Sequence, residues 1–278
     1  MTEREAAFRL LLMFKSQDQE RNTHMATISR NELMAYLTNL LSPHEFKDYC
    51  ENGLQVEGSD RISTIVSGVT ACQALLDKAV ELGADAVLVH HGYFWKGEPQ
   101  SLVGMKGRRI RTLIKNDINL IGYHLPLDAH AEFGNNAQLA KLLGVEITGG
   151  LEAGNPNSIG LVGQLETAVT PDELSERLEK ALNRKPLHIS GGPLQISRIA
   201  WCTGSADSYI GKALAAEADA YITGEISEPV VHTAREEGIH FYSAGHHATE
   251  RYGVKSLGEH LASHFDLEHH FVDIDNPV

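Results

Sequence analysis

The sequence predicts an α/β fold made of two similar α/β domains, each with a largely parallel sheet flanked by helices. Two observations support this class. Short strand patterns alternate with helical patterns along most of the chain, which is typical of βαβ units. One such series also occurs twice. With 278 residues, 42% of them hydrophobic, the chain is long enough for two ordinary domains with real cores.

The first series starts after residue 24. A capping box formed by Ser29 and Glu32 predicts the start of a helix. We assign residues 25–148 to a first domain and residues 1–24 to an N-terminal extension, which we expect to be disordered or only locally helical. Strands and helices are predicted in alternation at 62–69, 71–82, 86–89, 106–116, 118–123 and 136–143.

The second series follows a polar, glycine-rich stretch at 149–158, where we place the domain boundary. Thr170 and Glu173 form another capping box and predict the start of a helix. We assign residues 149–278 to the second domain. Its other strands and helices are predicted at 159–165, 187–190, 196–203, 206–216, 220–223, 227–237, 239–243 and 268–274.

The repetition is visible in the letters themselves. Residues 62–91 align with 196–225 without a gap, and the two segments share Ile-Ser-x-Ile, Lys-Ala and Ala-Asp-Ala. Two generic βαβ units with similar core requirements would also resemble each other. The ungapped alignment with matching turns favours an internal duplication.

Charge and composition exclude several classes of function. The formal net charge of −13 argues against a dedicated nucleic-acid or anionic-membrane surface, which would need clustered Lys and Arg. The basic cluster at 106–111 is interpreted as a solvated helix face, with local binding of a phosphate as the alternative. No apolar run is long enough to cross a bilayer, and the N-terminal residues do not form a convincing signal peptide. Three widely spaced cysteines make a disulfide framework improbable, so we expect a cytoplasmic protein.

Histidine pairs follow predicted strands at two equivalent places. His90 and His91 end the apolar run VLVHH, and His246 follows the strand pattern of the second series. Glu250 lies four residues after His246, so the two side chains would share one face of a helix. The third pair, His269 and His270, is interpreted as a solvated part of the last strand.

A third element of the same kind is YHLPLDAH, in which His124 and Asp128 also follow a strand. Ligand sites in open α/β sheets form at the carboxyl ends of strands, so these side chains are expected to converge. Imidazole and carboxylate ligands without thiolates suit Zn, Mn, Fe, Co or Ni. Two ions about 3.5–4 Å apart could share this set and a water molecule. The alternative is a polar loop cluster of ordinary hydrogen-bonded histidines.

The motifs NGLQVEG (52–58), ADAVLVHHGYFWKG (84–97), HLPLDAH (124–130), GNN (134–136), TGE (223–225) and GHHATER (245–251) resemble the NGG-interacting-factor-three-like family. Bacterial members of this family are often called GTP cyclohydrolase 1 type 2 homologues. The resemblance covers the chain from about residue 26 onward. It implies two similar domains, two divalent metal ions in the cleft between them and a ring-shaped homohexamer.

By position, the resemblance also implies which residues act. Asp128 would bridge the two ions, while His124 and Glu225 would orient ligands or contact substrate. The implied metal ligands are His90, His91, Asp128, His246 and Glu250.

Other residues are weaker candidates. Tyr93 and Trp95 could stack on a substrate ring or pack at a subunit contact. Thr203 and Gly204 lie in a turn that either binds phosphate through its backbone N–H groups or only connects two elements. Asn135 and the residues beside it are expected to cap a helix.

Three functional hypotheses follow. The leading one is a metal-dependent hydrolase of a small, nucleotide-like molecule, with GTP cyclohydrolase activity suggested by the family label. The second is a non-enzymatic metal carrier or insertion factor. The third is a ring-shaped scaffold in which the metal holds two domains together. Nucleic acid is the least expected partner because the chain is acidic.

Overall fold

The computed structural model describes residues 26–278, so the extension predicted at 1–24 lies outside the described residues. In chain order, the first elements are β1 (Ile28–Ser29), α1 (Arg30–Leu41), β2 (Gly53–Val56), β3 (Arg61–Ile62), β4 (Thr64–Thr70), α2 (Gln73–Glu81), β5 (Ala86–His91), α3 (Gly104–Lys115), β6 (Asn119–Gly122), α4 (Leu125–Ala129) and α5 (Asn135–Leu143).

The remaining elements are β7 (Val145–Gly150), β8 (Leu161–Val169), α6 (Pro171–Leu182), β9 (Leu187–Ile189), β10 (Ile196–Trp201), α7 (Ile210–Ala215), β11 (Ala220–Thr223), α8 (Glu228–Glu236), β12 (His240–Ser243), α9 (His246–Phe265) and β13 (Glu268–Phe271). Both predicted capping boxes are confirmed, at the start of α1 and at the start of α6.

Two main sheets organise the chain. A five-stranded sheet has the order β13-β4-β5-β6-β2, and a six-stranded sheet has the order β7-β8-β10-β11-β12-β9. Strands β1 and β3 form a separate two-stranded pair. The prediction of an α/β fold with sheets flanked by helices is therefore confirmed.

The strand directions correct one detail of the prediction. In the five-stranded sheet only β2 runs antiparallel to its neighbour. In the six-stranded sheet only the β10-β11 and β11-β12 pairs are parallel, whereas β7, β8 and β9 pair antiparallel. The second sheet is thus mixed, with antiparallel strands on both sides of the parallel strands β10, β11 and β12.

The sheets do not follow the predicted division between residues 148 and 149. Strand β7 runs through this point and belongs to the six-stranded sheet. At the other end of the chain, β13 pairs in parallel with β4, within the five-stranded sheet. Helix α9 packs on the same sheet, with Leu257 and Leu261 in the core that contains Ile65 and Leu88. The C-terminal elements are therefore shared with the first sheet.

The repeated series has matching hydrogen bonds in its two copies. The carboxylate of Asp85 accepts from the backbone N–H groups of Ser63 and Thr64, at 2.8 and 3.0 Å. The carboxylate of Asp219 accepts from the N–H groups of Ser197 and Arg198, both at 2.9 Å. Asp85 precedes β5 and fixes the start of the parallel strand β4. In the same way, Asp219 precedes β11 and fixes the start of the parallel strand β10.

Within residues 26–278, none of the helices is both long enough and apolar enough to cross a bilayer.

His269 differs from its expected solvated position. Its Nε2 lies 2.7 Å from the hydroxyl of Ser67 in β4, and it is packed against Gly258 of α9. Burial, with the positive charges of His270 and Lys255, lowers the pKa of His269 to about 4. The ring is therefore a neutral, half-buried part of the contact between β13, β4 and α9.

This environment predicts a specific pH dependence of stability. Because the folded-state pKa of His269 lies below its unfolded value, its contribution is fully present above about pH 6.5 and is lost as the pH falls toward 4. The free energy of unfolding should fall between pH 7.5 and pH 5.5 in the parent protein. In His269→Gln this fall should be smaller, by at most about 1 kcal/mol because the ring is partly exposed. Urea denaturation at both pH values measures this. His232→Gln, at an exposed histidine on α8, is the control, and an unchanged pH slope in His269→Gln would contradict the assignment.

Candidate metal centre

The carboxyl ends of neighbouring parallel strands bring the first group of side chains together. Strand β5 ends at His91, and its parallel neighbour β6 leads through Tyr123 to His124 and Asp128. His90 is completely buried and Asp128 is 6% exposed. Because both strands end at the same edge of the five-stranded sheet, their polar ends meet there.

The second group comes from the six-stranded sheet and from α9. Strand β12 leads to Gly245, whose φ of 98° turns the chain directly into α9. His246 and Glu250 lie one turn apart at the start of this helix, on one face. Glu225 follows β11, the neighbour of β12.

Four groups of three potential ligands occur among the described residues, and two of them contain His124: His90, His91 and His124, and Asp48, Cys50 and His124. The other two, which we call the triads, contain Glu250. The first is His90, Asp128 and Glu250, and the second is His91, His246 and Glu250. Within each group, one potential ligand atom per residue lies within 4.8 Å of the others. All five predicted metal ligands are therefore brought together.

Glu250 is common to both triads. Its Oε1 lies 3.5 Å from Nε2 of His90, and its Oε2 lies 3.2 Å from Nε2 of both His91 and His246. Asp128 approaches only one of these imidazoles closely, with 3.5 Å between its Oδ1 and Nε2 of His90. The shared carboxylate in this arrangement is thus Glu250, where the family resemblance implied Asp128.

The residues fit divalent ions. Nε2 of His90 and Oε2 of Glu250 are fully buried, and none of their contacts at 3.2–3.5 Å with the other ligands has hydrogen-bond geometry. Buried polar atoms of this kind are rare and costly unless another group satisfies them. Nitrogen and oxygen ligands at this spacing are those that borderline divalent metals prefer. A divalent ion in each triad would satisfy both orphaned atoms.

The pKa values show how strongly these groups interact. Burial alone would lower the pKa of His90, but the charges of Asp128 and Glu250 raise it to about 9. Burial lowers the pKa of His91 to about 3, because only Glu250 opposes it. Glu250 and Glu225 overcome the burial of His246 and raise its pKa to about 9. Metal binding at these sites would therefore displace protons.

Each ligating imidazole is oriented through its other nitrogen. Nδ1 of His90 lies 3.0 Å from the carbonyl oxygen of Tyr123, which can only accept, so Nδ1 must carry the proton. Nδ1 of His91 lies 3.2 Å from the hydroxyl of Thr70. Nδ1 of His246 lies 2.5 Å from Oε1 of Glu225, as expected for an orienting carboxylate. In each case Nε2 is left for the metal.

His124 is held beside the triads by Asp48, which sequence reasoning missed. Nδ1 of His124 lies 2.6 Å from Oδ1 of Asp48. The same carboxylate accepts from Asn52 and from the backbone N–H of Leu125. Burial opposes ionisation, but the hydrogen bond and charge of His124 lower the pKa of Asp48 to about 2. No motif signals Asp48, because it lies in an irregular loop 76 residues before its partner.

The asparagines expected to cap α5 support the site instead. Gly134 is the N-cap, and no side-chain capping bond forms. Asn135 donates to Oδ1 of Asp128 at 2.8 Å and accepts from the N–H of Gly253 in α9. Asn136 accepts from the N–H of Thr203 at 3.0 Å. Both side chains thus join α5 to the ligands.

A cavity of about 340 Å³ opens over the triads. Trp95 and Thr203, two of the predicted substrate contacts, line it together with His91, His246 and Glu250. Its volume lies at the lower end of the range for small-molecule sites, about 300–1,000 Å³.

Tyr93 is not at this cavity. It is 4% exposed and its hydroxyl donates to the carbonyl oxygen of Ala71 at 2.7 Å, within the core beside α2. Its prediction as a substrate contact is corrected, because Trp95 and not Tyr93 faces the site.

Gly204 has a different role from the one predicted. A Cβ at this position, where φ is +71°, would lie 2.1 Å from Oε1 of Glu250. Only glycine leaves room for the shared carboxylate. The phosphate-binding interpretation of this turn also weakens, because the N–H groups of Thr203, Gly204 and Ala206 donate to Asn136, Thr249 and Thr223.

Known proteins resemble this chain over most of its length. A family model described as Duf34/NIF3 (NGG1p interacting factor 3) matches residues 28–277. A GTP cyclohydrolase 1 type 2 homolog from Pseudomonas aeruginosa is 56% identical over 251 residues, which cover 90% of this chain and 99% of the relative. The relative of the same name from Escherichia coli strain K12 is 52% identical over 252 residues, covering 90% and 100%.

Solved structures agree with this result. The structure of protein ybgI, described as of unknown function, has a TM-score of 0.87 and 52% identity, covering 90% of this chain and all of that chain. The structure of TTHA1606 from Thermus thermophilus has a TM-score of 0.83 and 34% identity, with the same coverage.

The shared carboxylate predicts how metal content responds to substitution. Glu250→Gln should remove nearly all bound metal, because it weakens both triads. Asp128→Asn should retain about half, because the second triad is intact. Elemental analysis of protein loaded with Zn²⁺ or Mn²⁺ and then desalted measures this. Glu259→Gln, an exposed substitution on the same helix, is the control. Equal losses in Glu250→Gln and Asp128→Asn would contradict the assignment of Glu250.

Proposed function

This chain belongs to the Duf34/NIF3 (NGG1p interacting factor 3) family, and we propose that it is a divalent-metal-dependent hydrolase of a small, nucleotide-like molecule. The observation that carries the proposal is the pair of triads sharing the buried Glu250 carboxylate at the floor of a cavity. The name of the relatives, GTP cyclohydrolase 1 type 2 homolog, supports ring-opening hydrolysis as the type of reaction.

The two triads would hold two ions in the cleft between the sheets. His90 and Asp128 would bind one ion, His91 and His246 would bind the other, and Glu250 would bind both. Zn, Mn, Fe, Co and Ni all suit this set. Bound ions would supply Lewis acidity and lower the pKa of water toward neutrality.

His124 is the candidate for proton transfer. Asp48 holds its Nδ1, so that its Nε2 is available to the cavity that both His124 and Trp95 line. A positioned imidazole of this kind contributes about 10²–10⁴-fold to hydrolytic rates. Trp95 is fixed by a hydrogen bond from its indole N–H to the carbonyl oxygen of Gly92 at 3.1 Å, so its ring can form a rigid wall for a planar substrate.

The matching hydrogen bonds of Asp85 and Asp219 support an internal duplication as the origin of the two sheets. In the ungapped alignment of the copies, His91 corresponds to Glu225. One copy would then supply a metal ligand where the other supplies the carboxylate that orients His246.

A hydrolytic screen tests the main proposal. Protein loaded with Zn²⁺ or Mn²⁺ is expected to hydrolyse at least one cyclic amide, amidine or phosphoester in a panel of nucleobases, nucleosides and nucleotides. His124→Ala should lower the rate about 100-fold or more while metal content stays at the parent value. His232→Ala, an exposed histidine on α8, is the control.

Absence of turnover by metal-replete protein would refute the hydrolase. If the same protein instead passed its metal rapidly to an acceptor, the carrier hypothesis would replace it.

Self-association into a ring of six chains is part of the proposal. Exposed apolar side chains at the start of α3 support it, since Val103 is 71% and Met105 57% exposed.

The free cysteines at 50, 72 and 202 are consistent with the cytoplasm as the proposed compartment.

We expect native mass spectrometry to find six chains in the parent and smaller species in Val103→Glu. A charge at this apolar position would be desolvated in an interface. Val80→Glu on α2 is the control, and a monomeric parent protein would contradict the proposal.

A further inference from the structure

We propose that the cavity over the triads selects an uncharged, planar heterocycle of nucleobase or nucleoside size and disfavours nucleoside polyphosphates. The inference rests on the proposed function of the same site and narrows its substrate class. It goes against the triphosphate substrate that the name of the relatives would suggest.

The lining of the cavity lacks cations. None of the described residues that form it is Lys or Arg, whereas Asp128 and Glu250 are at its floor. Sites that bind nucleotide phosphates usually present Arg, Lys or a row of free backbone N–H groups. The chain as a whole carries a net charge of −13, which also repels polyanions at a distance.

Two basic side chains near the cavity have other partners. Lys96 donates to the backbone carbonyl oxygen of Asp48. Lys212 pairs with Glu152 at 2.6 Å and lies over the ring of Tyr209, behind the cavity wall. Both cations are therefore held away from any phosphate in the cavity.

The backbone replaces these cations only in part. In the turn at 202–206, which lines the cavity, the N–H groups of Thr203, Gly204 and Ala206 donate to side chains of the protein. The N–H of Ser205 has no partner among the described residues, so this turn lacks the row of free N–H groups that cradles a phosphate. A helix start or turn binds anions only when such groups are free.

Metal ions would not make the cavity strongly positive. Two divalent ions would be matched by four nearby carboxylates. These belong to Asp48, Asp128, Glu225 and Glu250. A ligand carrying several negative charges would therefore meet a nearly neutral centre within an acidic protein.

The remaining walls suit a flat, neutral ring. Trp95 stands edge-on to His124, with 5.1 Å between the ring centroids, and Tyr49 lies 6.4 Å from His124 at the mouth. Ser208 and Tyr209 line the other side. An aromatic wall facing neutral hydroxyl groups matches a heterocycle with hydrogen-bonding edges.

Guanosine and GTP test this because they share a base and differ in charge. Each is titrated into Zn²⁺-loaded protein at fixed free Zn²⁺, with tryptophan fluorescence and calorimetry as readouts. Trp201 is buried in the core, so quenching reports on Trp95, and Trp95→Phe should abolish the signal. We expect the Kd of guanosine to be at least about tenfold lower than that of GTP at low salt, with the gap narrowing as salt is added.

A variant adds the cation that the cavity lacks. Both Ser208→Lys and Ser208→Gln remove the hydroxyl, so the comparison between them isolates the added charge. The lysine variant should bind GTP about fivefold more tightly than the glutamine variant, and the two should bind guanosine equally. Ser208 is exposed, so both variants should fold.

Equal or tighter binding of GTP in the parent, or no binding of guanosine, would overturn the inference. The proposed function would survive that result if the screen found turnover of another substrate. Loss of metal from the parent protein would instead refute the proposed function itself.

Discussion

The rest of the site depends on the burial of the Glu250 carboxylate. Only 3% of this residue is exposed, and a buried carboxylate is costly unless opposite charges or metal ions surround it. The three imidazoles that approach it come from β5 and from α9 itself. Gly204, after β10, leaves the space that the carboxylate occupies. The end of the first sheet, a turn of the second sheet and the start of α9 must therefore meet at one point.

Helix α9 links the two sheets because its start lies beside the six-stranded sheet and its later turns pack on the five-stranded sheet. Its first two turns carry His246 and Glu250 beside the turns that follow the strands of the six-stranded sheet. Its later turns pack Leu257 and Leu261 on the five-stranded sheet, and the chain then adds β13 to that sheet. A shift of either sheet would move the ligands relative to each other, so packing far from the metal centre also sets its geometry.

The sequence allowed the metal ligands to be predicted better than the residues that hold them in place. Histidines at the ends of apolar strands, and a glutamate one turn after His246, follow local patterns that the fold preserves. Asp48 and Asn135 act through pairings that are 76 and 118 residues apart, and no local periodicity encodes such pairs. The pairing of β13 with β4 was missed for the same reason, because a four-residue strand carries no mark of the sheet that it joins. Tyr93 was misplaced because the loop after His91 is irregular, with Phe94 at a φ of 64°.

The two triads are not chemically equivalent. His90 is completely buried and Asp128 is only 6% exposed, and the proton on Nδ1 of His90 is fixed by a neutral carbonyl group. In the other triad, 17% of the His91 and 26% of the His246 side chain is exposed, and a carboxylate holds Nδ1 of His246. A carboxylate partner makes an imidazole a stronger donor than a carbonyl partner does. Burial would thus slow the loss of an ion held by His90 and Asp128, whereas an ion held by His91 and His246 would be more accessible from the cavity. An occupant of the cavity would therefore meet the ion of His91 and His246 first, with His124 and Trp95 beside it.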